Sequence, residues 1–195
     1  KAFFDAEVLH VRSLGVAPYA TEKFKQNFRH NSFFIGDSTR DAVNRGVADY
    51  TPIFLSQVPE LFHRGLARVD IALIQTSLPD EHGYMSLGIS VDIVKAAAET
   101  AKLVVAQVNA HMPRVLGDTF IHIDDADFLV PYDELLLEYA PEADTEIAQR
   151  IGKYVSRLIE DGDTLQVGYG RIPNAVLSHL SEKKHLGVHT ELITD

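Results

Sequence analysis

Val69-Asp-Ile-Ala-Leu-Ile-Gln-Thr76 and Lys102-Leu-Val-Val-Ala-Gln-Val108 decide the fold. Each is a short run of branched apolar residues with little polar alternation, about the length of one buried strand. Between them, residues 91–101 form an alanine-rich stretch that predicts a helix. Parallel strands need a long crossover, and a helical crossover lies on the face of the sheet. Strand, helix, strand with near-continuous apolar strands therefore predicts an α/β fold: an open, mostly parallel sheet with helices on both faces.

The rest of the chain extends the alternation. Residues 6–14 read as a strand. Ser38-Thr-Arg-Asp41 opens a helix running to about Arg45 and stopped by Gly46. Residues 59–67 predict another helix. Residues 132–144 are acidic, with Pro131 just before them and Pro141 within them, which predicts a loop or linker with a short helical piece at 135–137. Thr145 opens an amphipathic helix, with Ile147, Ile151, Val155, Leu158 and Ile159 on one face. Asp161-Gly-Asp163 ends it. Residues 164–170 then read as a strand, Pro173 as the first residue of a helix, and residues 186–193 as a further strand. The chain opens without Met on a segment already extended, and closes just after another. Both ends read as cuts within a longer protein.

Composition excludes several classes of function. Of 195 residues, 28 are acidic and 18 basic, a formal net charge of −10. The densest basic run is Lys183-Lys184, far short of a duplex-binding surface, so no nucleic-acid partner is expected. No apolar run approaches the ~20 residues of a membrane span, and the first residues lack the apolar core of a signal peptide. With no cysteine, disulfides, thiolate metal sites and thiol catalysis are excluded. The nine histidines are scattered without metal-ligand spacing, so no metal is expected and most are read as surface residues.

Four stretches could carry chemistry. Gln166-Val-Gly168-Tyr-Gly170-Arg-Ile-Pro173 is a strand followed by Gly-x-Gly and a helix. Glycines let a ligand approach the backbone, and a helix start offers unpaired N–H donors. The arrangement suits a phosphate or an oxyanion formed in acyl transfer; the alternative is a plain strand-to-helix turn. A dinucleotide fingerprint fits less well, because its third glycine is missing, although Glu191 lies at about the distance of its acidic residue. Gly187-Val-His-Thr-Glu191 puts a carboxylate on an otherwise apolar strand, either as an exposed edge residue or with a role. Residues 77–92 and 109–118 follow the two deciding strands, at the edge where open parallel sheets bind ligands. Either stretch reads as a structured loop or a binding loop. Ser90 is the expected N-cap of the helix at 91–101.

Taken in order, these stretches resemble the acetyl-CoA hydrolase/4-hydroxybutyrate CoA-transferase family. The matching segments are Ser38-Thr-Arg40, Val58-Pro59, Asp70-Ile-Ala-Leu-Ile-Gln-Thr-Ser77, Pro79-Asp80-x-x-Gly83, Gly117-Asp-Thr-Phe120, Ile159-Glu-Asp-Gly-Asp-Thr-Leu-Gln166, Gly168-x-Gly170-x-Ile-Pro173 and Leu186-Gly-Val-His-Thr-Glu191. They cover nearly the whole chain.

The resemblance implies two similar α/β domains of CoA-transferase type: the first at 1–143, and the truncated beginning of the second at 144–195. It implies an acyl-CoA:carboxylate CoA-transferase working through a glutamyl-CoA thioester, with an acyl-CoA hydrolase as the neighbouring alternative. A nucleotide-binding oxidoreductase using the Gly168 turn stays open as a different class, as does a non-catalytic scaffold. Glu191 takes the nucleophile's position. Gln166, Gly168, Gly170 and Arg171 would serve the substrate or oxyanion, and Ser38 and Ser77 would shape an acyl pocket. Arg171 departs from the small residue more usual there, and would either pair with an acyl carboxylate, favouring a dicarboxylic substrate, or simply be exposed. Coenzyme A is implied as substrate with no permanently bound cofactor, as are a cytoplasmic location and a homodimer or larger homo-oligomer. A chain stopping at Asp195 would lack most of the CoA-binding glycines and is expected to be inactive.

Overall fold

A computed structural model of the chain describes residues 4–138 and 145–192. They fall into two compact units, 1–137 and 138–195. The fold is mixed α/β with parallel sheets and helices.

In the first unit, β1 (Ala6–His10), β2 (Phe28–Ser32) and β3 (Asp49–Tyr50) form a parallel sheet, with α1 (Asp37–Asn44) between β2 and β3. After α2 (Val58–His63) comes β4 (Ile71–Thr76), then β5 (Tyr84–Ser86), α3 (Val94–Thr100) and β6 (Leu103–Val108). β7 (Phe120–His122) and β8 (Phe128–Pro131) complete the unit. β6 is central, parallel to β4 on one side and to β8 on the other, with Ile71 opposite Leu103 and Thr76 opposite Val108. The two deciding stretches thus pair over Ile71–Thr76 and Leu103–Val108, as their composition predicts.

One face of that sheet carries the core. Ala72, Ile74, Val104, Ala106 and Val108 are buried there with Met85, Leu87 and Ile121 from the antiparallel β5–β7 pair and its flank. Val94, Ala98 and Ala101, in and beside α3, pack on the same cluster. The opposite face presents Leu73, Phe128 and Val130, which stay exposed among the described residues. A second core joins Val58 and Phe62 of α2 to Phe33, Ile93 and Ala96.

In the second unit, α4 (Glu146–Val155), β9 (Thr164–Leu165), α5 (Arg171–Leu177) and β10 (Gly187–Val188) follow one another, and β9 and β10 are parallel. Thr145 caps α4 as expected, its Oγ1 accepting from the Ala148 N–H at 3.1 Å.

Several local expectations are corrected. The extended segment at 6–14 forms a strand only over Ala6–His10. Residues 135–137 adopt no helix, while residues 139–144 of the expected linker lie outside the described residues. The cap of α3 is not Ser90: Asp92 Oδ1 accepts from the N–H of Ile93 and Val94 instead. A carboxylate nearer the first turn reaches the orphan amides better. Pro173 is the third residue of its helix, not the first. It is tolerated because the first four N–H groups of a helix lack an intrahelical partner. Ladder pairing at 164–170 and 186–193 is confined to two residues on each strand. The buried side of α4 carries Ala148, Gly152 and, just after its end, Ser156, whereas Ile147 and Leu158 are exposed. Close helix contact selects small residues over the larger apolar stripe. A Cβ on Gly152 would stand 2.4 Å from the Ala175 carbonyl oxygen of α5. Nor are the histidines uniformly superficial: His30 is buried in the β1–β2 sheet, its Nδ1 donating to the Val8 carbonyl at 2.9 Å.

Candidate active site

The candidate nucleophile and the glycine turn belong to neighbouring parallel strands. β9 and β10 pair with Thr164 opposite Gly187 and Leu165 opposite Val188. Gly187 permits the approach, since a Cβ there would meet Thr164 Oγ1 at 2.8 Å. Because the strands run the same way, both leave the sheet at its carboxyl edge. β9 leads through Gln166 into Gly168-Tyr-Gly170, and β10 leads through His189 and Thr190 to Glu191.

Two further contacts carry the pairing past the ladder. The His189 N–H donates to the Leu165 carbonyl at 2.9 Å. Thr190 Oγ1 then accepts from the Val167 N–H at 3.2 Å and donates to the Val167 carbonyl at 2.8 Å. Neighbouring residues on one strand thus tie down the residue just before Gly168 and the residue just before Glu191.

The turn itself is shaped by Gly170, the N-cap of α5, with φ 135° and ψ −178°. A side chain at that φ would strain the backbone. The Gly170 carbonyl accepts from the Asn174 N–H at 3.2 Å, closing the first turn of α5. Gln166, Gly168, Arg171 and Glu191 are all exposed. Among the described residues Glu191 has no ion-pair or hydrogen-bond partner.

Ser38 and Ser77 belong to the first unit. Ser38 is exposed at the start of α1, and its Oγ donates to the Ser13 carbonyl beyond β1 at 3.2 Å. Ser77 directly follows β4 and is buried. Its hydroxyl donates to the Leu78 carbonyl at 3.0 Å and accepts from the Ser86 N–H at 2.9 Å. Its contribution is to hold the shape of the loop.

Two polar assemblies of the first unit escape sequence reading. Asp80 accepts from the N–H groups of His82 and Tyr84 and from Arg114 Nη2 at 2.6 Å, tying the loop after β4 to the loop after β6. These bonds, the backbone N–H of Tyr84 foremost, hold its carboxyl below the usual carboxylate range. Asn109, fully buried, accepts from the His111 N–H through Oδ1 and donates to the Glu134 carbonyl at 2.8 Å. An Asp or Asn after a strand is a visible signal for such a clip, but its partner about 30 residues away is not. No group of three or more His, Asp or Glu residues is placed to hold a metal among the described residues. No helix there is long and apolar enough to cross a membrane.

Parallel strands alternating with helices, with a glycine turn after one paired strand and a carboxylate after the next, define an α/β protein of the open-sheet class. The sequence profile of the acetyl-CoA hydrolase/transferase N-terminal domain matches residues 1–141. The chain belongs to that family. It is 50% identical over 193 residues to a 4-hydroxybutyrate coenzyme A transferase of Clostridium kluyveri, covering 99% of this chain and 45% of that protein. It is 43% identical over 192 residues to a succinyl-CoA:acetate/propanoyl-CoA:succinate CoA transferase of Fasciola hepatica, covering 98% of this chain and 40% of that one. Among solved structures, a 4-hydroxybutyrate CoA-transferase of Porphyromonas gingivalis superposes with a TM-score of 0.76 at 35% identity, covering 100% of this chain and 52% of the other. RipA of Yersinia pestis superposes with a TM-score of 0.87 at 28% identity, covering 96% of this chain and 46% of the other. The chain spans under half the length of these two curated relatives.

Proposed function

We propose that the protein carrying this chain is an acyl-CoA:carboxylate CoA-transferase, moving coenzyme A to a small carboxylate such as acetate through a thioester on Glu191. The observation that supports this reading is the parallel pairing of β9 with β10, since the glycine turn follows one strand and Glu191 follows the other at the same sheet edge. The transferase names borne by relatives up to 50% identical support it.

The chemistry proceeds by covalent exchange. A Glu191 carboxylate oxygen attacks the thioester carbonyl of the acyl-CoA. The C–S bond breaks, leaving an acyl-glutamyl anhydride and a CoA thiolate. The thiolate attacks the glutamyl carbonyl, releasing the first acyl group as its carboxylate and forming glutamyl-CoA. The acceptor carboxylate then attacks that thioester, giving a new anhydride and the thiolate again. Attack of the thiolate on the acceptor's acyl carbon yields the new acyl-CoA and frees Glu191. No net proton or electron is consumed.

Each tetrahedral intermediate carries an oxyanion, which Gln166 or an N–H of the Gly168–Gly170 turn would stabilise. Arg171 would pair with the far carboxylate of a dicarboxylic acid, and succinyl groups in two relatives' names agree with that role. Ser38 and Ser77 would support the walls of an acyl pocket. A carboxylate is a weak nucleophile, so binding of the long CoA body must help drive its attack. Residues 1–143 would form the first α/β domain and 144–195 the start of the second. The whole protein would act in the cytoplasm as a homodimer or larger homo-oligomer, with coenzyme A as substrate and no resident cofactor.

The test is mass spectrometry of the full-length protein after incubation with acyl-CoA and then borohydride or hydroxylamine. Modification confined to the peptide holding Glu191 is expected. Turnover without any such adduct would refute the reading. A hydrolase would let water intercept glutamyl-CoA, and the family's description includes that activity. CoA release that ignores added acetate would favour it.

A further inference from the structure

Thr190 interrupts the ladder where a regular one would continue. In the β9–β10 pair, every second residue of the later strand donates to the earlier one. Gly187 N–H bonds the Asp163 carbonyl at 2.8 Å, and His189 N–H bonds the Leu165 carbonyl at 2.9 Å. The next rung would join the Glu191 N–H to the Val167 carbonyl. Instead the Thr190 hydroxyl donates to that carbonyl at 2.8 Å and accepts from the Val167 N–H at 3.2 Å. One side chain satisfies both main-chain groups of Val167. Residue 191 is a bend, and among the described residues its N–H makes no ladder bond.

We infer that Thr190 is a positioning residue for the transfer reaction, a hydroxyl latch that ends the β9–β10 hydrogen bonding one rung early and turns Glu191 out of the sheet beside the glycine turn. The inference rests on the reading of Glu191 as nucleophile. Its physical basis is direct. An unsatisfied Val167 carbonyl would recruit the Glu191 N–H and draw residue 191 back into the strand. A residue within a strand directs its side chain to one face of the sheet, not over its edge. The latch holds the Val167–Gly168 backbone as well, so nucleophile and turn keep one spacing. Thr suits the place because its β-branch restricts χ1 and costs little further ordering.

The test uses the full-length enzyme with three substitutions. Thr190→Val keeps the shape and removes both bonds, Thr190→Ser keeps the hydroxyl, and Glu191→Gln removes the nucleophile. Thr190→Val is expected to lower kcat and the rate of Glu191 adduct formation by about tenfold to a hundredfold, the range set by a misplacement near 1 Å. KM for acyl-CoA should stay within about twofold, since both bonds of the latch are made to the Val167 main chain. Thr190→Ser should restore kcat to within about threefold of the parent. If the valine variant fails to fold, Thr190→Ala carries the same comparison against serine. A parental kcat in the valine or alanine variant overturns the latch, as does a serine variant as slow as valine. Full activity in Glu191→Gln instead overturns the proposed function, and the two failures are distinct.

Discussion

Replacing Gly152 by alanine sets two effects of opposite sign against each other. In an exposed helix interior the change would stabilise, because glycine costs about 0.5–1 kcal/mol relative to alanine. Here the new methyl would stand 2.4 Å from the Ala175 carbonyl oxygen, 2.6 Å from its carbon and 3.0 Å from the Val176 nitrogen. These are backbone atoms of α5, so no side chain can swing aside. Restoring ordinary contact requires the helices to separate by about 1 Å. Overpacking of this kind costs about 1–3 kcal/mol. The net expectation is destabilisation by about 1–2 kcal/mol, seen as faster hydrogen exchange in peptides covering 146–155 and 171–177. Since α5 begins at the Gly168–Gly170 turn, transferase activity should fall as well, by up to about a hundredfold. A variant whose α4 and α5 amides exchange as slowly as the parent's, or more slowly, would show that helix propensity wins and that the contact is not tight.

Two further outcomes follow from the same physics. Thr145→Ala removes the cap of α4 and should cost about 1 kcal/mol, read as raised exchange in the first turn of α4, while Thr145→Asp should retain protection. In the first unit, His10 bonds the Tyr19 hydroxyl at 2.8 Å and stacks on His30 at 4.2 Å. Burial first, and then the charge of His30, lower its pKa from 6.5 to about 4. The fold therefore favours the neutral ring. Its contribution to stability is fully present above pH 6.5 and is lost as pH falls from 6.5 towards 4, because the unfolded chain takes up the proton first. Urea midpoints measured across that window should fall with pH, and less steeply in His10→Asn. An unchanged slope would refute the assignment.

Much of the scaffold was legible because burial on a sheet leaves a compositional mark. β4 and β6 are apolar runs whose buried partners alternate strictly, and α3 sits between them as an alanine-rich helix, so their pairing follows from local pattern alone. The start of α4 was equally visible, since a cap acts on amides three residues away. Its buried face was not. Periodicity weighs large apolar residues and so selects Ile147 and Leu158, whereas Ala148 and Gly152 are buried and the close contact with α5 is made at Gly152, where only a missing side chain lets two backbones meet. Ser90 was read as the cap of α3, and only geometry gave that place to Asp92.

The candidate site divides in the same way. The amino-acid sequence by itself marked Glu191 as a carboxylate in an apolar segment and Gly168 and Gly170 as a turn following another, because strand and turn chemistry act over a few neighbouring residues, although β10 closes at Val188 and leaves Glu191 in a bend. Only the tertiary structure decided that those strands are adjacent and parallel, and that Thr190 fills the rung that Glu191 would otherwise take. Register between segments 23 residues apart, as Val167 and Thr190 are, is set by which hydrogen bonds close in three dimensions. That choice leaves no periodic trace along the chain.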